Sequence, residues 1–366
     1  MPYSEKELVM PAKRYNNTKR SYVLVNPKQG KHMPIDPREA VRMMETLGSK
    51  VKEHLTAESC LPALVIGFAE TATAIGGVVA ECLGAKYRHT TREQDPVIQN
   101  WLLFEETHSH ATEQKLAVDM LEDTIADVRS IVIVDDEFTT GNTLLNMVAA
   151  LEGVFPEVQT KHIVAAAIVN RVRDENLLRL RNHGIEIVAL CSPDTTDEEY
   201  AAQVACFTTQ AASPVDTLPV SSEPIQVVTN VFEKHLGKDV ITMSSISMGK
   251  TLVLGTEEWM HYPLRCAEQL SNISWLDVRF YATTRSPIAI CDREAYTVRS
   301  GFEIRSIYDE DRKIYLYNME HYDSAIIMSN CPFAVEEEMG GVQDIARVLR
   351  AYGVKDIGFI NHVWSG

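Results

Sequence analysis

The sequence predicts an α/β protein built as two domains. Three observations carry that reading. Segments rich in Val, Ile and Leu alternate with longer amphipathic stretches at the intervals of βαβ units. One of these apolar runs, Ile131–Val134, passes into Asp135-Asp136 and then at once into a turn of hydroxyl residues and glycine. Between Thr208 and Glu223 the pattern gives way to a Ser, Thr and Pro-rich stretch with little periodicity, after which a second set of elements begins. A chain of 366 residues with 45% hydrophobic content can fill two cores.

Strands are expected at Ser21–Val25, Ala63–Phe68, Ile131–Val134, His162–Val169 and Ile185–Leu190, with helices at Ala72–Leu83, Thr143–Leu151 and Arg173–Asn182. That succession predicts a parallel sheet covered on both faces. Beyond the break, TLVLGTEEWM reads as a strand meeting a turn, followed by a helix around Leu264–Leu270. Further apolar runs are Pro287–Cys291, Ile314–Tyr317, Ser324–Ile327 and Ile357–Ile360. The expected domains are residues 1–215 and 225–366.

The bulk numbers narrow the function. At 23% charged residues the composition is globular, and the net charge of −16 argues against a general nucleic-acid binder. It leaves room for a small phosphorylated ligand held by local donors and a metal. The opening MPYSEKELVMPAKRYNN has no apolar signal region, and no run is long enough to span a bilayer. Seven scattered cysteines without a CxxC fit a reduced, cytoplasmic protein, and no structural zinc site is expected.

The stretch IVIVDDEFTTGNT (Ile131–Thr143) has a chemical logic. In open α/β sheets, ligands sit outside the carboxyl ends of the strands. Adjacent strand residues point to opposite faces, so Asp135 and Asp136 are not expected to form one buried pair. They suit a vicinal diol such as the 2- and 3-hydroxyls of a ribose, directly or through a metal. Glu137, Thr139, Thr140, Gly141, Asn142 and Thr143 then offer hydroxyls and consecutive N–H groups before a helix, a nest for a dianionic phosphate. Gly141 permits the tight turn. A sugar diol plus a terminal phosphate describes a ribose 5-phosphate. The plain alternative is a strand with an Asp-rich helix cap.

An apolar strand, Asp-Asp, two residues and then Thr-Thr-Gly-x-Thr resembles the phosphoribosyl pyrophosphate (PRPP) motif of type I phosphoribosyltransferases, complete here through Thr143. The resemblance implies a parallel sheet flanked by helices, magnesium as cofactor with Asp135 and Asp136 as ligands directly or through water, and a homodimer. It also implies roles for other loops. Gly67, Phe68, Ala69, Glu70, Thr71 and Ala72, after the strand ALVIG, occupy the place of the diphosphate loop, although the Arg or Lys often found there is missing. Arg92, in TTRE, and His108 and His110, in FEETHSHAT, occupy the place of a mobile hood that excludes water from the transition state. For the two histidines a metal site is the rival, since His-x-His in a strand aligns both rings. Arg20, Lys28, Lys31 and His32 lie in a basic turn that suits a lid over the acceptor base, or an ordinary hairpin with solvated lysines.

More narrowly, QGKHMP, GFAETATAIG, TTRE, FEETHSHAT and VDDEFTTGNT resemble the orotate-phosphoribosyltransferase-like branch found with bacterial tellurite-resistance and stress gene clusters. In the second domain, Thr284-Arg285-Ser286-Pro287 resembles the tetrapeptide that names the TRSP domain, which accompanies that branch. LGTEEWMHYP and YLYNMEHYD are similar to it as well. Thr283, Thr284, Arg285 and Ser286 would make a phosphate grip, and Gly255, Glu257 and Glu258 a ligand-facing turn. The alternative is that Arg285 pairs with Glu257 or Glu258 across the fold.

The resemblance therefore implies PRPP-dependent, magnesium-assisted phosphoribosyl transfer to a nucleobase-like acceptor, or the reverse reaction of a 5-phosphorylated nucleoside with diphosphate. The product would be a nucleoside-like metabolite linked to tellurite resistance and stress. A PRPP-binding regulator or a scaffold is the alternative, although neither a DNA-binding element nor a basic surface is visible. No nucleic-acid or membrane partner is expected.

Overall fold

The computed structural model describes residues 3–15, 20–105, 113–220, 223–227, 232–235, 238–241, 249–332 and 340–362. The chain divides into two compact units, one of Met1–Leu8 with Val41–Asp194 and one of Val9–Ala40 with Thr195–Gly366. The expected division at 1–215 and 225–366 does not describe these units, because residues 9–40 and 195–215 both group with the C-terminal half. The elements before the first unit's sheet are α1 (Glu5–Leu8), the antiparallel strands β1 (Met10–Lys13) and β2 (Tyr22–Val25), and the long helix α2 (Pro37–Ala57).

The first unit is built on strands β3 (Ala63–Gly67), β4 (Lys86–Thr91), β5 (Trp101–Glu105), β6 (Glu113–Ala117), β7 (Ser130–Phe138), β8 (His162–Asn170) and β9 (Ile185–Cys191). Their order across the sheet is β5-β6-β4-β3-β7-β8-β9. From β4 to β9 neighbours pair in parallel, whereas β6 joins β4, and β5 joins β6, antiparallel. The sheet is therefore parallel over β4 to β9, as expected, with β5 and β6 added antiparallel at one edge. The central strand β3 is buried at every position, as a strand covered on both faces must be. Helices α3 (Thr73–Leu83), α4 (Leu121–Asp127), α5 (Asn142–Val154) and α6 (Asp174–Asn182) complete the unit. Leu64, Ile66, Ile131, Ile133, Leu144, Leu151 and Leu180 share one core, so the strand that delivers the diacid is anchored by the same residues that hold α5 and α6.

The second unit carries a five-stranded sheet of β11 (Gln226–Val227), β14 (Gly249–Gly255), β15 (Leu276–Ala282), β18 (Ser324–Ser329) and β19 (Asp356–Asn361), in the order β11-β19-β18-β14-β15 and parallel throughout. Strands β10 (Ser213–Pro214), β16 (Gly301–Arg305) and β17 (Lys313–Tyr317) form a second sheet, and β12 (Phe232–His235) pairs with β13 (Lys238–Ile241). Helices α7 (Asp197–Ala205), α8 (His261–Leu270) and α9 (Gly340–Ala351) belong here too.

The expected strand Ser21–Val25 is β2, and it pairs with β1 rather than joining the parallel sheet. Ala12 and Val25 share a core with Ile288, Ile290, Tyr296 and Tyr317. The run Pro287–Cys291 forms isolated bridges to Arg14 and Gln210 in place of a strand. Within the Ser/Thr/Pro-rich segment, Val215 is buried, and the Gln210 N–H donates to the Ile290 carbonyl.

Candidate active site

The first unit's site begins where β7 leaves the core. Residues 130–134 are buried, and the strand continues four residues past the expected end, through Asp135, Asp136 and Glu137 to Phe138. The Asp135 carboxylate turns back to accept the Asp136 N–H at 2.9 Å, and Asp136 does the same for Glu137 at 3.0 Å. The carboxyls of Asp135 and Asp136 also hydrogen-bond each other. Both residues are only half-buried, and each carboxylate is held by the next backbone N–H. Burial pushes the Asp136 carboxyl above the usual carboxylate range, and the Glu137 charge adds to this. Hydrogen bonds from Asp135 and Thr71 oppose it. Glu137 is itself held by Arg171 at 2.7 Å.

The structure brings the expected diphosphate loop to this diacid. Thr71 reaches Asp136, and the Phe68 N–H donates to the Val134 carbonyl at 2.8 Å. Within the loop, the Ala69 N–H donates to Thr90 Oγ1 at 2.8 Å and the Ala72 N–H to the Phe68 carbonyl at 3.0 Å. The N–H groups of Phe68, Ala69 and Ala72 are therefore engaged inside the protein. Gln114 Nε2 donates to the Ala69 carbonyl at 3.0 Å, the Ala69–Glu70 peptide is cis, and Glu70 is buried. Gly67 has to be glycine: an added Cβ would lie 2.8 Å from Tyr87 Oη and 2.9 Å from the Ala72 carbonyl oxygen.

Beyond β7 the chain turns through Thr139 and Thr140 to Gly141, which takes φ +74° and precedes α5. A Cβ there would also meet Leu180 at 2.8 Å. The first turn of α5 receives no side-chain cap, and Thr139 and Thr143 make no side-chain hydrogen bond among the described residues. Thr140 Oγ1 accepts the Asn142 N–H at 3.3 Å. Arg179, from α6, donates to the Thr140 carbonyl at 3.1 Å and to Asn142 Oδ1. The arrangement is an uncapped helix N-terminus with two unengaged hydroxyls and a guanidinium behind it, which suits an anion.

The hood is partly described. Arg92 follows β4 and is half-buried, and Thr90 of that strand anchors the diphosphate loop. The flanks of the insert are β5 and β6, which pair as a β-ribbon. His108 and His110 lie outside the described residues.

The proposed lid residues belong to the second unit. Lys31 is wholly buried, and its ammonium donates to the Glu257 carbonyl at 2.6 Å. His32 is buried. Arg20 stacks over the Tyr22 ring at 4.6 Å, and Lys28 meets Glu39 at 3.4 Å. The Lys31 ammonium is thus engaged by a carbonyl of its own unit.

In the second unit, Gly255 ends β14, where a Cβ would lie 2.5 Å from the Trp259 carbonyl oxygen. Glu257, buried and at φ +48°, receives Arg285 Nε at 2.7 Å and Arg312 at 3.1 Å. Arg285 Nη1 binds Glu258 at 2.9 Å, and the Thr283 hydroxyl accepts the Glu257 N–H at 2.8 Å. Thr284 is buried, and its Oγ1 accepts the Ser286 N–H at 3.2 Å. The expected phosphate grip is therefore neutralised from within by two carboxylates, the alternative the sequence left open.

Sequence reasoning missed Arg179, Arg171, Gln114 and the anchoring role of Thr90. Arg179 sits in a helix read for its amphipathicity alone, and nothing local marks it as reaching Thr140. Magnesium suits the donor set: a hard cation takes oxygen ligands, and the Asp135–Asp136 pair, with one carboxyl pushed towards protonation by burial, gains from a nearby positive charge.

A family model described as phosphoribosyl transferase (PRTase_2) matches residues 8–192, just over half of the 366-residue chain. A second, described as TRSP domain C terminus to PRTase_2, matches residues 223–345. Among solved structures, the chain is similar to adenine phosphoribosyltransferase from Rhodothermus marinus, with 13% identity, 51% of this chain and 96% of that chain covered, and a TM-score of 0.35. It is also similar to adenine phosphoribosyl transferase from Trypanosoma brucei in complex with AMP, pyrophosphate and ribose-5-phosphate (13% identity, 51% and 77% covered, TM-score 0.37). Orotate phosphoribosyltransferase from Aeropyrum pernix gives 16% identity, 52% and 91% covered, and a TM-score of 0.34. No curated protein matches the chain. The chain belongs to the phosphoribosyl transferase family PRTase_2, as a phosphoribosyltransferase that carries the TRSP domain characteristic of that family's C-terminal side.

Proposed function

We propose that the first unit binds PRPP and transfers its phosphoribosyl group to a nucleobase-like acceptor, or runs the reverse reaction on a 5-phosphorylated nucleoside and diphosphate. The observation that carries this reading is the meeting of three parts at one end of the sheet. They are the uncapped start of α5 with Thr139 and Thr143, the Asp135–Asp136 pair, and the Gly67–Ala72 loop joined to that pair through Thr71.

In this reading the α5 N-terminus, backed by Arg179, binds the 5-phosphate. Asp135 and Asp136 take the ribose hydroxyls and orient C1. Thr71 and the loop around it fix the diphosphate side, and the bond from C1 to diphosphate breaks as the acceptor nitrogen bonds to C1. Positioning and charge stabilisation supply the catalysis. Magnesium, when bound with Asp135 and Asp136 among its ligands, neutralises diphosphate charge. Following the resemblance, we place the product among nucleoside-like metabolites of tellurite-resistance and stress clusters, made in the cytoplasm by a homodimer.

Calorimetric titration of PRPP with magnesium tests the reading, using wild type and Asp135→Asn/Asp136→Asn. Magnesium-dependent binding that is lost in the variant supports it, and release of diphosphate with a base then identifies the acceptor. Binding without turnover against any base would favour a regulator or scaffold. Absence of binding to folded wild type, both for PRPP and for nucleoside 5-phosphates with diphosphate, removes the proposal.

A further inference from the structure

At the other end of the same sheet stands a cluster that phosphoribosyl transfer does not use. His162 is the first residue of β8, and Glu186 lies near the start of β9. In the parallel register Glu186 sits beside Val164, two residues after His162, so both side chains leave the same face of the sheet. The helix α2 supplies the third member. Its Lys50 donates to the Ala189 carbonyl of β9 at 2.7 Å, and His54, one turn later, falls on the same helical face. His54 Nε2 is 2.6 Å from Glu186 Oε2, His162 Nε2 is 3.6 Å from it, and the two imidazoles stack with centroids 5.9 Å apart.

We propose that His54, His162 and Glu186 bind a divalent cation of the zinc class. One donor atom from each lies within 4.8 Å of the others. Both Nε2 atoms are buried, and among the described residues neither makes a hydrogen bond despite the nearby carboxylate. In a simple ion pair the carboxylate oxygen sits on the line of the ring N–H. Here it sits off that line, as it does when nitrogen and oxygen point at a common third atom. A tetrahedral zinc site with bonds of about 2.0–2.2 Å sets its donors about 3.3 Å apart. The observed distances bracket that spacing, and small rotations of the half-exposed Glu186 and of His162 reach it.

The donor set also selects the metal. Two imidazoles and one carboxylate match zinc and its neighbours, whereas magnesium prefers an all-oxygen octahedron and retained water. The site is therefore distinct in chemistry from the one at Asp135–Thr143. It is distinct in place as well, since His162 lies five residues along β8 before Ala167, the register partner of Asp135, or about 17 Å. Three protein ligands leave a fourth position for water, and the ion would clamp α2 to the first residues of β8 and β9. No cysteine takes part, which is why cysteine spacing gave no sign of it.

The test uses the full chain stripped of metal and titrated with zinc against a competing fluorescent chelator. Wild type is expected to bind one equivalent. Affinity should fall by about 100-fold or more in Glu186→Gln, which preserves size, and in His54→Ala/His162→Ala. Cobalt in place of zinc should give visible bands without thiolate charge transfer. Zinc should raise the unfolding temperature of wild type, and equal magnesium should not. Absence of binding to wild type overturns the proposal. So does one-equivalent binding that survives in both variants, which would assign the metal to thiols such as exposed Cys206. Should the double variant fail to fold, as judged by circular dichroism, Glu186→Gln decides alone.

Discussion

Replacing Arg285 by Met separates two roles for this residue of the Thr284–Pro287 tetrapeptide. As a phosphate grip, Arg285 would be poised for a ligand and nearly dispensable for folding. As a keystone, it neutralises two carboxylates that cannot reach water. Its side chain is 11% exposed, against 1% for Glu257 and 8% for Glu258, and it donates to them at 2.7 and 2.9 Å. At an effective dielectric of about 20 and a charge separation of about 4 Å, each attraction is about 4 kcal/mol before desolvation. Removing one partner of a buried pair costs about 3–5 kcal/mol, because the remaining charge stays buried. Glu257 keeps Arg312 at 3.1 Å, so the lower end applies. The expected loss is about 3 kcal/mol, or about 6–12 °C for a unit of this size. Urea unfolding followed by tryptophan fluorescence reads it, with Trp259 two residues from Glu257. Adding Glu258→Gln should recover at least about 1 kcal/mol of that loss, as coupled neighbours do. An Arg285→Met variant within about 0.5 kcal/mol of wild type would refute the keystone role, above all if phosphate stabilised wild type alone.

Three further outcomes follow from the first unit. Gly67→Ala drives a methyl to 2.8 Å from Tyr87 Oη and 2.9 Å from a carbonyl oxygen. It should cost about 1–3 kcal/mol in thermal unfolding and weaken PRPP binding by calorimetry. Arg179→Gln removes the donor to the Thr140 carbonyl and Asn142, and should weaken PRPP binding about tenfold, about 1.4 kcal/mol, with little change in circular dichroism. Asp136 has a folded pKa above its unfolded value of about 3.9, so the native state holds the extra proton between the two. Its contribution is fully present below the unfolded value and is lost as pH rises through the folded one. Asp136→Asn should therefore gain stability relative to wild type as pH rises from 4 to 7, in denaturant titrations at each pH, while losing PRPP affinity.

The legible parts of the sequence were those in which chemistry and chain order coincide. Ile131–Thr143 could be read because strand, acids and turn follow one another without a gap, and the structure keeps them contiguous at one end of β7. The same local reasoning does not reveal that each carboxylate of the pair accepts the next backbone N–H. It could not place residues 9–40, because β1 and β2 look like any short strands and their core partners, Ile288 to Tyr317, lie far along the chain. Lys31 reads as a solvated lysine until its acceptor, the Glu257 carbonyl, is seen. Arg285 was ambiguous for a related reason: its partners precede it by 27 and 28 residues, and composition cannot say whether a guanidinium will meet them or a ligand.

The grouping of residues 9–40 with the C-terminal half bears on how the chain is made. Lys31 and Glu257 are 226 positions apart. At about 5–20 residues per second, a ribosome takes roughly 11–45 s to deliver the second after the first. For that interval β1, β2 and an ammonium destined for burial stand without their core, while the strands from Ala63 to Cys191 can already assemble. The transferase sheet is thus free to form early, and the N-terminal segment waits for the last third of the chain. Cutting the gene after the transferase strands would leave that waiting state permanent, with Ala12 and Val25 exposed as sticky surface.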